Sequence, residues 1–286
     1  MEIVEGPPPP LPDLPCPLVQ HPGFAAALRA CGGTARLVQV RDAGAAVAQA
    51  VLVRRGPVTL AVRGPVWVGT PDARQRREAL RLLGLRLIEA EARDVALRAA
   101  GFRQVATAAT LAVLDLAPSE AAQIARAQGK WRNRLMQAWR AGLRIDRAAY
   151  DGDPAHWLLA AEAVQRRRRY HALPLRLASA YAATNPGAAQ IFTAVQDNRP
   201  VAAMLLLCHG TRATYHIGWS GAQGRACSAH HAILMAAAGW LAAQGVTQIE
   251  LGTIDTVGNP GLARFKLGSG ARAQVLGGSW LRLPGF

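Results

Sequence analysis

The alternation of apolar and polar runs along the chain predicts an α/β fold. Apolar runs that end at Gly-Pro turns or short polar segments indicate strands at Leu37–Val40, Ala46–Arg54, Val58–Val68, Leu85–Glu89 and Gln104–Leu116. Apolar residues at helical spacing, with suitable residues at the ends, predict helices at Phe24–Cys31, Pro71–Leu83 and Asp94–Ala100. We therefore expect one α/β domain over residues 21–117.

The second half of the chain repeats this order of elements. A hairpin and three further strands are predicted at Gln190–Gln196, Val201–His209, Ala213–Trp219, Gln248–Leu251 and Ala273–Leu283. A loop of small residues, Gly221–Cys227, leads into a predicted helix over Ser228–Gln244. Helical patterns at Pro118–Gly142 and Pro154–Arg169 form a connector over residues 118–170. The repeat predicts a second domain at residues 118–286, and an extended proline-rich arm is expected at residues 1–20.

Composition narrows the class of partner. Hydrophobic residues make up 51% of the chain and charged residues 18%, which is enough apolar material for a sizeable core. Lysine and arginine together number 33 against 18 acidic residues, so the formal net charge is +15. Such a charge concentrates anions near the surface: nucleic acid, phosphorylated carriers or an acidic membrane. Composition alone does not choose among these partners.

Cysteine spacing and hydropathy lead us to expect a cytoplasmic protein with no metal site. The four cysteines show neither a CxxC spacing nor a cluster with histidine. Glu2 and Glu5 stand where a secretory signal would be basic, and no apolar run reaches the length of about 18 residues that a spanning helix needs. Peripheral contact with a membrane is left open.

The segment near the end of the chain holds the most specific pattern. Asp255 comes shortly after the predicted strand Gln248–Leu251, and a glycine-rich stretch with Lys266 follows. Lys130 and Lys266 are the two lysines in a chain whose other 31 basic residues are arginine. A compact ammonium reaches places that a planar guanidinium does not fit, so both are candidates for chemistry; the alternative is chance survival. Lys266 is a candidate to neutralise a phosphate or an oxyanion.

Three segments of the chain read KWRNRLMQAWRAGLRI from Lys130, YHIGWSGAQGRACSAHHAIL from Tyr215, and GLARFKLGSGA from Gly261. Together they resemble the Fem-type aminoacyltransferases, the FemAB-like branch of the GNAT acetyltransferase superfamily. The three occur in the order of the family and extend from Lys130 towards the end of the chain, whereas the first 115 residues match only in outline. One motif departs from the superfamily: Gln223–Ser228 does not keep the spacing of the loop that holds the pyrophosphate of acetyl-CoA.

The resemblance implies a fold, a reaction and a set of site residues. The fold class is α/β (α+β), with two tandem GNAT-like domains, each a mixed twisted sheet flanked by helices. The second domain would hold the active cleft, and the first would help to bind the acceptor. Family members transfer an acyl or aminoacyl group from acyl-CoA or aminoacyl-tRNA to an amine, so the partners expected here are an anionic phosphate-bearing donor, with tRNA among the candidates, and an amine acceptor.

The site residues expected from these motifs fall into three groups. The catalytic candidates are Asp255, Lys266 and Tyr215. The candidates for donor binding are Arg225, Ser228, His230, Lys266 and Gly268. The candidates for acceptor or anion binding are Lys130, Arg132, Arg134, Asn259 and Arg264.

Each of these groups has a simpler alternative. Lys130, Arg132 and Arg134 would also suit a solvated helix face, and Asp255 an ordinary turn. His230 and its neighbour would equally suit a helix start or a core position. The alternative function is a catalytically degenerate basic module of this fold that binds RNA or an anionic membrane surface.

Overall fold

The computed structural model describes residues 1–6, 14–169 and 174–283, which form two compact units. Unit 1 contains Met1–Thr110 and Val275–Phe286, and unit 2 contains Leu111–Gln274. The sequence instead predicts a single boundary at residues 117/118, with the end of the chain in the second domain. The proline run Pro7–Pro10 of the predicted arm lies outside the described residues.

Strands and helices alternate through both units, as expected for an α/β protein. The strands are β1 (Glu2–Glu5), β2 (Thr34–Asp42), β3 (Ala45–Arg55), β4 (Val58–Val62), β5 (Val66–Trp67), β6 (Leu87–Ala90), β7 (Phe102–Ala106), β8 (Thr110–Asp115), β9 (Arg144–Ala149), β10 (Ala189–Gln196), β11 (Arg199–His209), β12 (Arg212–Ser220), β13 (Gln248–Thr253), β14 (Arg272–Val275) and β15 (Gly278–Arg282). The helices are α1 (Pro22–Ala30), α2 (Ala73–Leu82), α3 (Val95–Ala99), α4 (Glu120–Arg126), α5 (Gly129–Arg140), α6 (Trp157–Arg169), α7 (Leu175–Thr184), α8 (Ala222–Ala226), α9 (Ala229–Ala243) and α10 (Pro260–Gly268), with a 3-10 turn at Leu18–Gln20.

Unit 1 is built on a mixed sheet with the strand order β1-β2-β3-β4-β6-β15-β7, and β5 pairs with β3. Its parallel pair is β4 with β6, which align at three positions from Leu60↔Leu87 to Val62↔Glu89. Leu80 of α2, Ile88 of β6 and Phe102 of β7 belong to one buried apolar cluster. This cluster holds the helices against the sheet through the hydrophobic effect.

A buried glutamine and an ion pair occupy the end of the parallel pair in unit 1. Gln20 is 1% exposed, and its amide donates to Val62 O (2.6 Å) and accepts from Val51 N (2.9 Å). Arg63 follows β4 and Glu91 follows β6, and the two side chains form an ion pair at 2.7 Å. Both contacts provide partners for polar groups at the strand ends that would otherwise be buried without one.

Unit 2 is built on a second mixed sheet, in the order β14-β8-β13-β12-β11-β10-β9. The parallel pair here is β12 with β13, and it also covers three positions, from Arg212↔Gln248 to Thr214↔Glu250. Helices α5 and α9 pack together, and residues of both share a buried cluster with Met204 and Leu206 of β11. The two mixed sheets flanked by helices agree with the predicted fold class.

Several predicted elements take a different form. The predicted strand Gln104–Leu116 is two strands, β7 and β8, in different sheets, and Ala273–Leu283 likewise divides into β14 and β15. The predicted helix Pro118–Gly142 is interrupted between α4 and α5, where Ala127 takes an extended conformation. Strand-like composition does not reveal which sheet a strand joins, because pairing partners are distant in sequence.

Two stretches expected to be loops contain helices. The small-residue segment Gly221–Cys227 contains α8, and the glycine-rich stretch contains α10, which begins at Pro260. Proline at the first helical position is favourable because its missing N–H has no partner there in any case. Gly268 of α10 lies against the ring of Trp131, and a larger residue would not fit there, because its Cβ would lie 2.9 Å from Trp131 Cδ1. This glycine therefore serves helix packing.

Candidate active site

The parallel strands of unit 2 separate soon after they meet, and each carries a bulge at that point. Strand β12 continues from Tyr215 to Ser220 beyond its last pair with β13. The register of β12 against β11 shifts so that His216 is the extra residue. The register of β13 against β8 shifts at Leu251. Bulges bend strands and re-aim side chains, so this opening between β12 and β13 is a defined feature of the sheet.

Lys266 enters this region from α10. The residue is 4% exposed, and its Nζ donates to Thr253 O at 2.8 Å, at the end of β13. Gly252 lies beside the ammonium, and its φ of +82° is a backbone conformation that favours glycine; a Cβ there would be at van der Waals contact with Nζ, at 3.5 Å. Burial lowers the pKa of Lys266 to about 8, against an opposing effect of the nearby Glu250 carboxylate. The ammonium expected to meet a phosphate thus lies against the main chain at the strand opening.

The N-terminus of α9 is buried and has no side-chain cap. Ser228 stands before it in a left-handed conformation (φ +59°), is 7% exposed, and makes no capping hydrogen bond. Its hydroxyl instead donates to Gln137 Oε1 (3.2 Å), while Gln137 Nε2 donates to Ala226 O (3.0 Å). The first N–H groups of a helix have no partner within it, and they carry the positive end of the helix dipole. This end of α9 therefore favours an anion.

The short helix α8 fixes the chain just before α9. A Cβ at Gly224 would overlap Val201 O, so the residue is a glycine because α8 lies directly on β11. Arg225 is exposed, and its guanidinium donates to Ser220 O at the end of β12. The predicted phosphate-loop segment is therefore a helical turn that presents Arg225 beside the start of α9.

An aromatic cluster joins α5, α9 and α10 near the same helix end. The ring centroids of Trp131 and His231 are 4.9 Å apart, and those of His231 and Phe265 are 5.1 Å apart. His230 lies 6.2 Å from Phe265. In the described part of the chain, Trp131 Nε1 and His230 Nε2 are buried and have no hydrogen-bond partner. Buried polar atoms without a partner are costly, so they mark places where a ligand atom would be stabilised.

The histidines of this cluster are neutral at ordinary pH. Burial lowers the pKa of His230 to about 4. Burial also lowers the pKa of His231 to about 4, and the positive charge of Arg134 acts in the same direction. A neutral imidazole has one nitrogen that donates and one that accepts a hydrogen bond. Both rings are therefore better suited to orienting polar groups through hydrogen bonds than to accepting a proton as a base.

Tyr215 is the catalytic candidate that lies on β12 at the opening. Its ring packs against the unit 2 core, and its hydroxyl lies over Gly218, where a Cβ would collide with it. Burial raises the pKa of this phenol above its usual value, and the Glu162 carboxylate adds to the effect. Tyr215 is therefore protonated at neutral pH and presents a hydrogen-bond donor.

Asp255 lies in a compact turn before α10. Its carboxylate accepts from Gly258 N (2.7 Å), Val257 N (3.2 Å) and Asn259 Nδ2 (3.2 Å). The bond from Gly258 N is the largest cause of a lowered pKa. A carboxylate held by three donors is a weak base, so the geometry favours the turn interpretation for Asp255 and makes Asn259 its partner.

The basic candidates for acceptor or anion binding are exposed. Lys130, Arg132 and Arg134 lie on the solvent side of α5, and Arg132 donates to Ala127 O at 2.7 Å. Arg264 is exposed on α10, next to Phe265. The structure thus brings Arg134 towards His231 and leaves Lys130 and Arg264 in solvent.

Sequence reasoning missed four residues that shape this site. Gln137 bonds to Ser228, Trp131 packs against Gly268, and the Phe265 ring lies edge-on to His230. The fourth, Glu250, acts on Lys266 through its charge. Trp131 had a signal, because it is at helical spacing with Leu135 on the buried side of α5. Gln137 had none, since its partner Ser228 is 91 residues away.

Comparisons with known proteins agree with the fold and the predicted resemblance. The family model of the acetyltransferase (GNAT) domain matches residues 125–267, which is half of the chain. The structure is similar to FemX, with 14% identity, 92% of this chain and 91% of that chain covered, and a TM-score of 0.76. No curated protein sequence matches the chain.

Two further structures share the fold across nearly their whole length. One is the C-terminal domain of a putative lysylphosphatidylglycerol synthetase from Agrobacterium fabrum: 16% identity, 92% and 88% coverage, TM-score 0.58. The other is L-PGS from Bacillus licheniformis: 14% identity, 96% and 94% coverage, TM-score 0.56. At these identities the likeness concerns the fold, and the predicted Fem-type resemblance is confirmed at that level.

Two kinds of feature are missing from the described residues. No helix in them has both the length and the apolar character that crossing a bilayer requires. Within the same residues, no three side chains of His, Cys, Asp or Glu gather in a way that would hold a metal ion.

Proposed function

The chain belongs to the acetyltransferase (GNAT) domain family and is an acyltransferase, and from this premise we propose that unit 2 moves an acyl or aminoacyl group from a phosphate-bearing carrier to an amine. The carrier is acyl-CoA or aminoacyl-tRNA. The name of the Agrobacterium fabrum neighbour refers to a lysyl compound, which is a reason to test an aminoacyl donor beside an acyl-CoA. Both carriers are cytoplasmic, so the proposal includes a cytoplasmic location.

The observation that carries the proposal is the buried, uncapped start of α9 near the opening between β12 and β13. Because the Ser228 hydroxyl is committed to Gln137, the N–H groups of the first turn are left for a ligand. Arg225 is exposed at the same turn and adds positive charge. A phosphate at this end of α9 would place the remainder of the carrier along the unpaired edge of β12.

The chain's own residues then have separate tasks in the transfer. Lys266 holds the end of β13 through Thr253 and places positive charge at the opening, where it stabilises an oxyanion. The protonated phenol of Tyr215 donates to the leaving oxygen or sulfur. The amine nitrogen bonds to the acyl carbon as the bond from that carbon to the carrier breaks. The amine proton passes through water to the leaving oxygen or sulfur, while Tyr215 keeps its proton and donates a hydrogen bond. His230 orients polar atoms from α9, while Asp255 and Gly268 act through the local fold.

The exposed cations are assigned to the long anionic partner. Lys130 and Arg132 on α5 and Arg264 on α10 are in solvent and unpaired with acidic side chains among the described residues. They would contact carrier or acceptor phosphates outside the opening, where salt weakens the interaction.

The test compares two substitutions at the residue before α9. Ser228→Asp places a carboxylate at the helix start, which competes with a phosphate, whereas Ser228→Asn has similar size and no charge. Both side chains tolerate a left-handed backbone better than most residues do. We expect Ser228→Asp to weaken donor binding at least about tenfold and Ser228→Asn to change it by less than about threefold.

Two donors are measured separately for wild type and both variants. Labelled acetyl-CoA and labelled aminoacyl-tRNA are each incubated with an amine, and binding and transfer are recorded. If wild type binds neither donor and transfers nothing, the transfer function is excluded. Equal loss in the Asp and Asn variants would show that size, not charge, matters at Ser228, and would exclude phosphate binding at α9. The alternative of a degenerate basic module predicts polyanion binding that Ser228→Asp does not alter.

A further inference from the structure

One end of unit 1 carries two adjoining open grooves lined with arginine. Their volumes are about 710 Å³ and about 570 Å³, and Arg98 lines both. The arginines that line one or both grooves are Arg81, Arg93, Arg98, Arg103 and Arg282. Among the described lining residues, Asp94 is the one acidic side chain, and it caps α3 through Ala96 N (2.9 Å) and faces Arg76 at 3.5 Å. The grooves are therefore strongly positive.

Exposed aliphatic side chains gather around the same arginines. The described residues include eleven exposed large hydrophobic side chains, and five of them belong to this end of unit 1. Val95, Val275 and Leu283 line the grooves, Leu82 follows Arg81, and Val105 is two residues beyond Arg103 on the edge strand β7. Val95 is 80% exposed, although Ala96 and Leu97, the next two residues of α3, are buried. Such a concentration of apolar surface marks an interaction site.

Two of the arginines are held in place before any ligand arrives. Arg81 Nη2 donates to Ala99 O at 3.3 Å, and the Arg282 guanidinium stacks over the Phe102 ring at 5.4 Å. Fixed guanidinium groups lose less conformational freedom on binding and match the geometry of phosphate oxygens.

We propose that this end of unit 1 docks on an anionic lipid surface. The guanidinium groups would contact lipid phosphates, and the exposed valines and leucines would enter the boundary between head groups and acyl chains. RNA would also neutralise the positive charge of the arginines, but aliphatic side chains contribute little to the binding of a phosphodiester backbone. Base stacking needs accessible aromatic rings, and Trp280, the aromatic residue among the described lining residues, is 8% exposed. The proposal is independent of the transfer reaction in unit 2.

The charge arm of the test uses vesicle co-sedimentation. Vesicles of phosphatidylcholine alone are compared with vesicles that also contain phosphatidylglycerol. The double variant Arg98→Ala and Arg103→Ala is expected to reduce binding to the anionic vesicles by roughly 10- to 30-fold. The control is Arg54→Ala with Arg55→Ala, which removes the same charge from exposed positions of unit 1 away from the grooves. The control is expected to change binding by less than about threefold, through net charge alone.

The apolar arm separates a lipid surface from RNA. Val95→Ser with Val105→Ser should weaken vesicle binding by roughly three- to tenfold without altering its salt dependence. Val257→Ser, at a highly exposed valine of unit 2, is the apolar control and should have no effect. The same proteins are titrated with a labelled tRNA, whose affinity should be insensitive to the valine changes.

Four results would overturn the proposal. They are no binding of wild type to anionic vesicles, equal loss in the groove and control variants, valine changes without effect on vesicles, and a groove variant that loses tRNA while it keeps vesicles. Since all the substituted side chains are exposed, thermal melting should show each variant folded like wild type.

Discussion

The two units share a plan, and they differ clearly at the end of the parallel strand pair. In both, a parallel pair covers three positions and a helical connection joins its strands. In unit 1, Gln20 fills the place where β4 ends, and the pair Arg63–Glu91 joins the ends of β4 and β6. In unit 2, β12 and β13 carry bulges and separate. One pair is closed by polar side chains and the other is open.

The helices that join the two strands of each pair, α2 in unit 1 and α9 in unit 2, also differ at their first residues: one start is capped and the other is not. Asp72 caps α2 through Gln75 N (2.7 Å) and forms a full capping box, which places a carboxylate at the positive end of the helix. Ser228 leaves α9 uncapped. A carboxylate at a helix start repels other anions, whereas a bare start attracts them. The comparison teaches that, of the two equivalent helix starts, the one at α9 is suited to an anion, because both the helix end and the strand opening beside it lack the side chains that close them in unit 1.

The largest effect that tests this comparison is expected from removing the Gln20 amide, which fills the end of the parallel strand pair in unit 1. Gln20→Leu keeps the approximate size but leaves Val51 N–H and Val62 C=O without the glutamine, so we expect a loss of about 3 to 4 kcal/mol in unfolding free energy. Urea unfolding measures the loss, with Gln244→Leu at an exposed position as control. A loss no larger than in the control would mean that Gln20 does not close the strand pair.

The second test concerns Lys266, the polar group at the open pair of unit 2. Its pKa of about 8 in the folded protein lies below the value near 10.4 of an unfolded lysine. Protonated Lys266 therefore disfavours folding, and wild-type stability rises with pH between these two values, because the unfolded chain then binds more protons. Lys266→Met lacks this effect. Its unfolding free energy relative to wild type should fall by about 2 to 3 kcal/mol from pH 7 to pH 10.

Urea unfolding of both proteins at several pH values checks this prediction. All other titrating groups are common to the two proteins, so the difference isolates Lys266. If the difference in unfolding free energy between the two proteins stays constant with pH, the Lys266 ammonium is solvated in the folded protein. The contrast between the closed strand pair of unit 1 and the open pair of unit 2 would then lose its strongest electrostatic support.

The smallest expected effect is at the cap of α2. Asp72→Ala removes the capping box and should lower the unfolding free energy by about 1 kcal/mol, with no change in binding of either donor. Thermal melting and the donor-binding assay measure the two consequences. Tighter donor binding in this variant would show that the start of α2 is a latent anion site, contrary to the comparison of the two helix starts.

The order of elements was readable from the sequence because local patterns determine it. Strand alternation and helix ends predicted the repeated α/β plan, and Lys266 stood out because lysine is rare in this chain. Sheet membership was not readable. The stretch from Gln104 to Leu116 looks like one strand, and its division between two sheets depends on partners more than a hundred residues away.

Roles within the site were less predictable than its location. The glycine at 268 suggested ligand approach, whereas its neighbour is the ring of Trp131 from another helix. Asp255 suggested a base, whereas three donors of its own turn bind the carboxylate. In both cases the residue type was informative, but the partner that decides its role lies on an element whose packing no local pattern describes.

The position of β15 has a consequence for how the nascent chain folds. This strand lies between β6 and β7, so the sheet of unit 1 has a gap until Gly278–Arg282 has left the ribosome. Unit 2 is one contiguous segment, so its sheet does not depend on a strand that is translated after the rest of the chain. The part of the molecule that is translated first is therefore completed last, and its edges at β6 and β7 stay unprotected throughout synthesis.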